Sequence, residues 1–327
     1  MAAGEKLRDR ILGQRDAYKA HGALSRMWKI GWALALLLFL LGIAIWYFFL
    51  IPRTPEWSVS GAGIINYSAR GQVAYSEAPF GTSEGKLLKV GYDSRGAAVY
   101  GLLRIPKITD SPGTKKFPGI VLLPGAGVTK EVEQKVAIEL ERMGYATLTI
   151  DQRGIGESVE EVGDMSSNYE IFRQGKEPPI HKMIYDALRG YDLLHERTEI
   201  DPDNIIFMGE SMGGRTAIIA AGIEAGSRGA VGISTGGYGL WGVVPKNNQT
   251  LFQRSIDPDA YVGLLAPRKI LMVHSSKDDV VMLENAKRTF SFANEPKRFV
   301  EVRCETHGYC MGMKEGLESG LGWMLEK

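Results

Sequence analysis

The chain has 327 residues, with 39 Lys plus Arg against 38 Asp plus Glu and a formal charge of +1. So even a balance gives no basic field for a polyanion, which argues against nucleic acid as a partner. Two cysteines with one histidine near them and no further close ligands do not make a zinc set, so neither a metal nor another cofactor is expected.

Taken in chain order, residues 1–29 form a basic segment with Lys6, Arg8, Arg10, Arg15, Lys19, Arg26 and Lys29. Residues 30–51 then carry no ionisable acid or base and are dominated by Leu, Ile, Ala, Phe and Trp. Crossing a ~30 Å hydrocarbon core takes about 20 such residues, so this stretch reads as a transmembrane signal-anchor helix in contact with the lipid bilayer. Trp28 and Trp32 on one side, and Trp46, Tyr47 and Trp57 on the other, suit the interfacial belts. The long basic leader and the lack of an A-x-A-like site before Arg53 speak against a cleaved signal peptide. Basic residues crowd the N-terminal flank, which places the N-terminus in the cytoplasm and everything after Pro52 outside, as a single-pass membrane protein.

Residues 52–85 are rich in Gly, Ser, Ala and Pro and read as a stem. From residue 86 to 327, strands and helices alternate. Lys86–Tyr92 and Ala97–Ile105 suggest a hairpin, Gly119–Leu123 a buried strand ending in Pro124-Gly125-Ala126-Gly127, and Glu131–Met143 a helix. Strand Tyr145–Ile150 and helix His181–Glu196 follow, then strands at Ala230–Ser234, Lys269–His274 and Arg298–Cys304, helix Leu283–Asn294 and a closing helix from about Met311. Continuous Val/Ile/Leu strands between amphipathic helices define an α/β fold with a mostly parallel central sheet covered on both faces. The connections 154–180 and 236–267 exceed ordinary loop lengths and are candidate pocket walls. Tyr169, Phe172, Tyr238 and Trp241 are aromatic residues available there for lining or packing.

The richest local signal is Gly209-Glu210-Ser211-Met212-Gly213, between the apolar segment Asn204–Met208 and the small-rich helical stretch Gly214–Ala221. Strand, G-x-S-x-G, helix is the setting of a nucleophile elbow, a sharp turn whose flanking residues must lack bulk. It presents Ser211 above the sheet with the N–H of Met212 and a helix N-terminus aimed at any oxyanion formed there. A serine needs a base within reach and an acid to orient that base. In the chain order nucleophile, acid, base, only His274 and His307 follow Ser211, and His274 precedes the best acids. His307 lies after the last strand, on the sheet edge where open α/β sheets place their sites, and is the expected base. Asp278 and Asp279 are the expected acids, and spacing alone does not choose between them. Asp257 and Asp259 are weaker candidates. A second oxyanion N–H is expected from Ala126, or failing that Gly127.

These pieces resemble the α/β-hydrolase superfamily over residues 86–327. The resemblance rests on Pro124-Gly125-Ala126-Gly127, Asp151-Gln152-Arg153-Gly154-Ile155-Gly156-Glu157-Ser158, the elbow, His274-Ser275-Ser276-Lys277-Asp278-Asp279 and Thr306-His307. The chain looks most like dienelactone-hydrolase-like esterases and the catalytic domains of prolyl-oligopeptidase-type peptidases. The H-G-x-x-D segment of those relatives maps the acid onto Asp278, with Ser275 standing where their glycine is usual. Arg153 maps to an architectural position rather than a catalytic one. The implied activity is acyl transfer by Ser211, His307 and Asp278 on a small-molecule carboxylic ester or a short peptide. A serine aminopeptidase or amidase and a catalytically silent binding protein are the alternatives. Cys304 and Cys310 bracket His307; a disulfide between them would close a short loop, contribute about 2 kcal/mol and clamp the base, while two free thiols are the other reading.

Overall fold

The computed structural model describes residues 2–47, 55–81, 83–107, 116–240 and 242–326; in the first helix, side chains are described from Arg26 onward, besides Arg10 and Lys19. The chain divides into two units, Met1–Pro55 and Glu56–Lys327. The first holds one helix, α1 (Ala2–Ile45), whose segment Arg26–Ile45 is long and apolar enough to cross a membrane and has none of its surface buried. The basic segment is therefore continuous with the apolar one as a single helix, and the last residues of the expected span, 48–51, lie outside the described residues.

In the second unit, β1 (Trp57–Val59) and β2 (Ile65–Tyr67) pair antiparallel as a ribbon of their own. The main sheet begins with β3 (Tyr75–Pro79), β4 (Lys86–Ser94) and β5 (Ala97–Ile105), all antiparallel. Residues 52–85 thus contain three strands where composition suggested only a stem. Every residue of β3 is exposed, so it has no buried face to leave an alternating pattern; it forms by pairing with β4. The turn between β4 and β5 uses Arg95 and Gly96 at φ 48° and 78°, the mirror-image turn geometry that matches strand twist.

The parallel strands are β6 (Phe117–Leu123), β7 (Ala146–Ile150), β8 (Ile200–Glu210), β9 (Gly229–Ile233), β10 (Lys269–Ser275) and β11 (Lys297–Val302). The sheet order is β11-β10-β9-β8-β6-β7-β5-β4-β3. All of β7 and β9 is buried, as expected of strands with helices on both faces. One core face packs Ile184, Ala187 and Leu188 of α4 (Pro179–His195), and Ala217, Ile218 and Ala221 of α5 (Met212–Ile223), against Val121, Leu148 and Phe207. The other packs Val136 and Leu140 of α2 (Gln134–Arg142), and Leu317 and Leu321 of α8 (Lys314–Leu325), against Ile120, Ile206 and Val231. Each such Val, Leu, Ile or Phe side chain contributes about 1.5–3 kcal/mol by leaving water. The two long connections each carry an unanticipated short helix, α3 (Met165–Arg173) and α6 (Asn248–Ser255). Between β10 and β11 lies α7 (Leu283–Ser291).

Arg153 is fully buried and grips both oxygens of Asp186 on α4 at 2.7 and 2.9 Å, with a further bond to the Ser94 carbonyl. It ties the loop after β7 to the helix layer and lies within the fold, as an architectural residue should.

Candidate active site

The site is built at the carboxyl edge of the parallel strands, where β8 ends and α5 begins. Ser211 sits at φ 51°, ψ −114°, a conformation costly for a residue with a side chain. The surroundings enforce it. Gly209 and Gly213 face each other and the Leu123 carbonyl so closely that a Cβ on either would collide with backbone. The Ser211 N–H donates to the Ile233 carbonyl at 2.9 Å, and its carbonyl accepts from the Thr235 hydroxyl at 2.7 Å and the Arg215 N–H at 3.1 Å. The elbow is thereby tied to the end of β9 and to the first turn of α5.

Asp278 follows β10. One of its oxygens, Oδ1, accepts the N–H groups of Val280 and Val281 at 3.0 and 2.9 Å, and both oxygens lie 2.9 Å from Nδ1 of His307. Burial opposes ionisation of this carboxyl. The two backbone donors and His307 outweigh that opposition and hold it below its ordinary range. Asp279, by contrast, is exposed. A carboxylate facing Nδ1 fixes that nitrogen as the protonated one and leaves Nε2 as the free base.

The His307 loop docks against the elbow. The Tyr309 N–H donates to Glu210 Oε1 at 3.2 Å, and the Ser234 hydroxyl to the Gly308 carbonyl at 3.3 Å. Gly308, at φ 85°, leaves only 2.8 Å between a would-be Cβ and Glu210 Oε2. Asp278 and His307 are thus in direct contact, and the loop that carries His307 touches Glu210, the residue before Ser211, and Ser234. Among the described residues the Ser211 hydroxyl makes no hydrogen bond. Cys304 and Cys310 are joined as a disulfide across the base of the same loop, with their Cα atoms 6.6 Å apart.

The turn after β6 brings Gly125 beside the nucleophile, with 3.8 Å between its would-be Cβ and the Ser211 Cβ. Among the described residues nothing accepts from the N–H groups of Ala126, Gly127 or Met212, so all three are available to a ligand. The Gln152 amide, buried below this turn, donates to the Pro124 carbonyl and holds the turn in place.

The alternatives fall elsewhere. His274 is buried, and its Nε2–H is committed to the Val281 carbonyl at 2.8 Å. Asp257 accepts from the N–H groups of Tyr238 and Leu240, and Asp259 from the Gly239 N–H and the Thr289 hydroxyl, so both hold the loop after β9.

Sequence reasoning missed three features. The half-buried Glu210 and the buried Glu133 form a carboxyl pair, Glu210 touching the His307 loop; both are raised above the ordinary range by desolvation, Glu133 also by the charge of Glu210. Arg215, four residues after Ser211, donates to the Gly236 carbonyl at 2.8 Å and the Tyr238 hydroxyl at 3.2 Å, with its guanidinium 4.5 Å from the Tyr238 ring centre. The i, i+4 spacing from the nucleophile was the available signal. Finally, α3, α6 and the loop after β9 enclose a cavity of about 480 Å³ lined by Met165, Tyr169, Tyr238, Leu240, Phe252 and Ile256 among others. Of the four aromatic residues noted in the sequence, Tyr169 and Tyr238 line this cavity. Phe172 packs into the core against His181 and Phe252, and Trp241 lies outside the described residues.

The chain has the α/β-hydrolase fold, and its elbow carries the arrangement that serine hydrolases use. Residues 115–254 match the family model for serine aminopeptidase, S33. Among curated proteins, the uncharacterized protein YfhR of Escherichia coli K12 is 24% identical over 142 residues, covering 41% of this chain and 49% of YfhR. The Salmonella typhi YfhR is 23% identical over 150 residues. The chain spans about half the length of these relatives.

Among solved structures, an acetyl xylan esterase from Paenibacillus sp. R4 superposes with a TM-score of 0.65 at 17% identity, over 77% of this chain and 89% of that one. A glucuronoyl esterase from Solibacter usitatus gives 0.60 at 14%, over 83% and 90%. Est1E from Butyrivibrio proteoclasticus, solved with ferulic acid, gives 0.54 at 19%, over 72% and 97%.

Proposed function

We propose that this protein is a membrane-anchored serine hydrolase that cleaves carboxylic esters outside the cytoplasm. Ser211 attacks the ester carbonyl while His307 Nε2 takes its proton. Asp278 fixes the imidazole tautomer and balances the imidazolium. The N–H groups of Met212 and Ala126 receive the oxyanion; His307 then returns the proton to the departing alkoxide, which leaves as the alcohol. Water repeats the sequence on the acyl-enzyme to release the acid. The observation that carries this reading is the strained Ser211 backbone at the end of β8, together with a histidine already oriented by a buried carboxylate on a loop that docks on Glu210. The disulfide between Cys304 and Cys310 serves to hold the base loop. The α1 helix supplies the bilayer anchor, and the basic N-terminal flank supports a cytoplasmic N-terminus.

A serine aminopeptidase is the second reading, favoured by the family match over residues 115–254. Such an enzyme must seat a substrate ammonium, and the charged side chains bonded to the cavity-lining Tyr238 and Leu240 are the cationic Arg215 and Arg254. Glu210 is committed to the Tyr309 N–H and lies in the loop contact. That electrostatic bias favours esters. The test is turnover of p-nitrophenyl esters of rising acyl length against aminoacyl p-nitroanilides by the full-length protein in detergent, alongside Ser211→Ala. Ester turnover that falls at least ~10³-fold in the mutant supports the proposal. Turnover of anilides alone moves the assignment to a peptidase.

A further inference from the structure

Arg215 bridges the helix that begins at the elbow and one wall of the cavity, Tyr238. It is on the first turn of α5, and helical side chains lean back toward the helix N-terminus, so its guanidinium covers the turn that begins at Ser211. Two of its nitrogens are committed, Nε to the Gly236 carbonyl and Nη1 to the Tyr238 hydroxyl. Nη2 makes no bond among the described residues, and no carboxylate there pairs with this guanidinium. In the same unit Arg70, Arg104, Arg153, Arg189 and Arg197 are paired with carboxylates, while Arg228, Arg254 and Arg268 each spend their guanidinium on two or more backbone carbonyls. The acids closest to this loop, Asp257 and Asp259, point their oxygens at the N–H groups of residues 238–240 and at Thr289. The neighbouring cation Arg288 donates to the Gly237 carbonyl and lies 3.9 Å from Asp259. The Tyr238 ring, stacked on Arg215, is itself a wall of the cavity. The apolar walls of the cavity are thus bordered, at Tyr238, by an oriented guanidinium that has no carboxylate partner among the described residues.

We propose that the ester substrate carries a carboxylate on the portion running from the scissile carbonyl toward the cavity, and that Arg215 binds it. The inference rests on the ester-hydrolase reading above and adds the substrate's charge class. A guanidinium–carboxylate hydrogen bond is weakened by solvent, and with Arg215 half-exposed about tenfold in kcat/KM is the expected discrimination.

The test compares the mono-4-nitrophenyl ester of glutarate with its uncharged isostere, 4-nitrophenyl 5-methylhexanoate, on full-length wild type, Arg215→Gln and Arg215→Lys in detergent at low salt. Ser211 labelling by a fluorophosphonate is followed on each protein. The expected result is a kcat/KM ratio of about ten in wild type, near one in Arg215→Gln and intermediate in Arg215→Lys, with added salt shrinking the wild-type ratio. A wild-type ratio near one, or a preference that survives in Arg215→Gln, overturns the inference while labelled Ser211 keeps the hydrolase reading intact. Failure of both esters together with failure to label Ser211 overturns both.

Discussion

Replacing Asp278 by Asn separates orientation of the base from every other feature of the site. Oδ1 of Asp278 accepts from two backbone N–H groups, those of Val280 and Val281, so in Asp278→Asn the amide oxygen must occupy that position. The NH₂ group of the new amide then falls where Oδ2 now sits, 2.9 Å from Nδ1 of His307. A donor there competes with the amide oxygen, which also lies 2.9 Å from Nδ1 but already accepts two N–H groups, and so favours the tautomer with the proton on Nε2, the nitrogen that has to take the serine proton. A wrong-tautomer base of this kind costs about 10⁴ in kcat, about 5 kcal/mol of transition-state stabilisation. Volume and backbone contacts are almost unchanged, so the fold should survive. The assay is p-nitrophenyl acetate hydrolysis by full-length wild type, Asp278→Asn and Asp279→Asn in detergent from pH 6 to 10. Asp279 is exposed and its substitution should change kcat by less than about threefold, since surface changes away from special features are small. An Asp278→Asn loss below tenfold, or an equal loss in Asp279→Asn, would refute the tautomer argument.

Three further outcomes test the framework around the triad. Gly213→Ala places a methyl against the Leu123 and Pro124 carbonyls, which are backbone and cannot swing aside; it should lower stability by at least the ~1–3 kcal/mol of ordinary overpacking in a denaturant titration, whereas Gly127→Ala, at φ 75° in open space, should cost only the ~1–2 kcal/mol of that backbone region. His181 is buried among Trp57, Phe172 and Phe252, and burial pushes its imidazole down to about 3. The unfolded chain takes up a proton there that the folded one refuses. Stability is therefore fully present above the ordinary histidine range and falls by about 1.4 kcal/mol per pH unit from roughly pH 6.5 toward pH 3. His181→Phe should flatten that part of the pH–stability curve, and an unchanged slope would contradict the assignment. Glu133 has the opposite sign: its raised folded value, from burial and the charge of Glu210, makes stability fall as pH climbs above the ordinary carboxylate range. Glu133→Gln should therefore raise Tm more at pH 8 than at pH 5.

Much of this molecule was legible in its sequence because the relevant signals are local. The fully buried strand β9 announces itself as a short apolar run, β7 as a β-branched stretch with two threonines, and the elbow as glycines at fixed spacing around Ser211. What was hidden depends on pairing or on packing between distant segments. The β3 strand has no buried face, and α3 and α6 are short helices of two turns or so inside long connections, too short for a periodic pattern to stand out. The choice between Asp278 and Asp279 turns on which carboxyl the Val280 and Val281 N–H groups capture, a contact that spacing does not encode. Arg215 and the Glu133–Glu210 pair escaped notice for the same reason, since each acquires its surroundings only when loops from different strands converge.

The most direct test of the account is to treat the full-length protein in detergent with a fluorophosphonate and locate the adduct by peptide mass spectrometry. A single adduct on Ser211, lost in Ser211→Ala and slowed in His307→Ala, is the expected result. Ester turnover with no adduct on Ser211, or with the adduct on another residue, would contradict the assignment of this serine as the nucleophile.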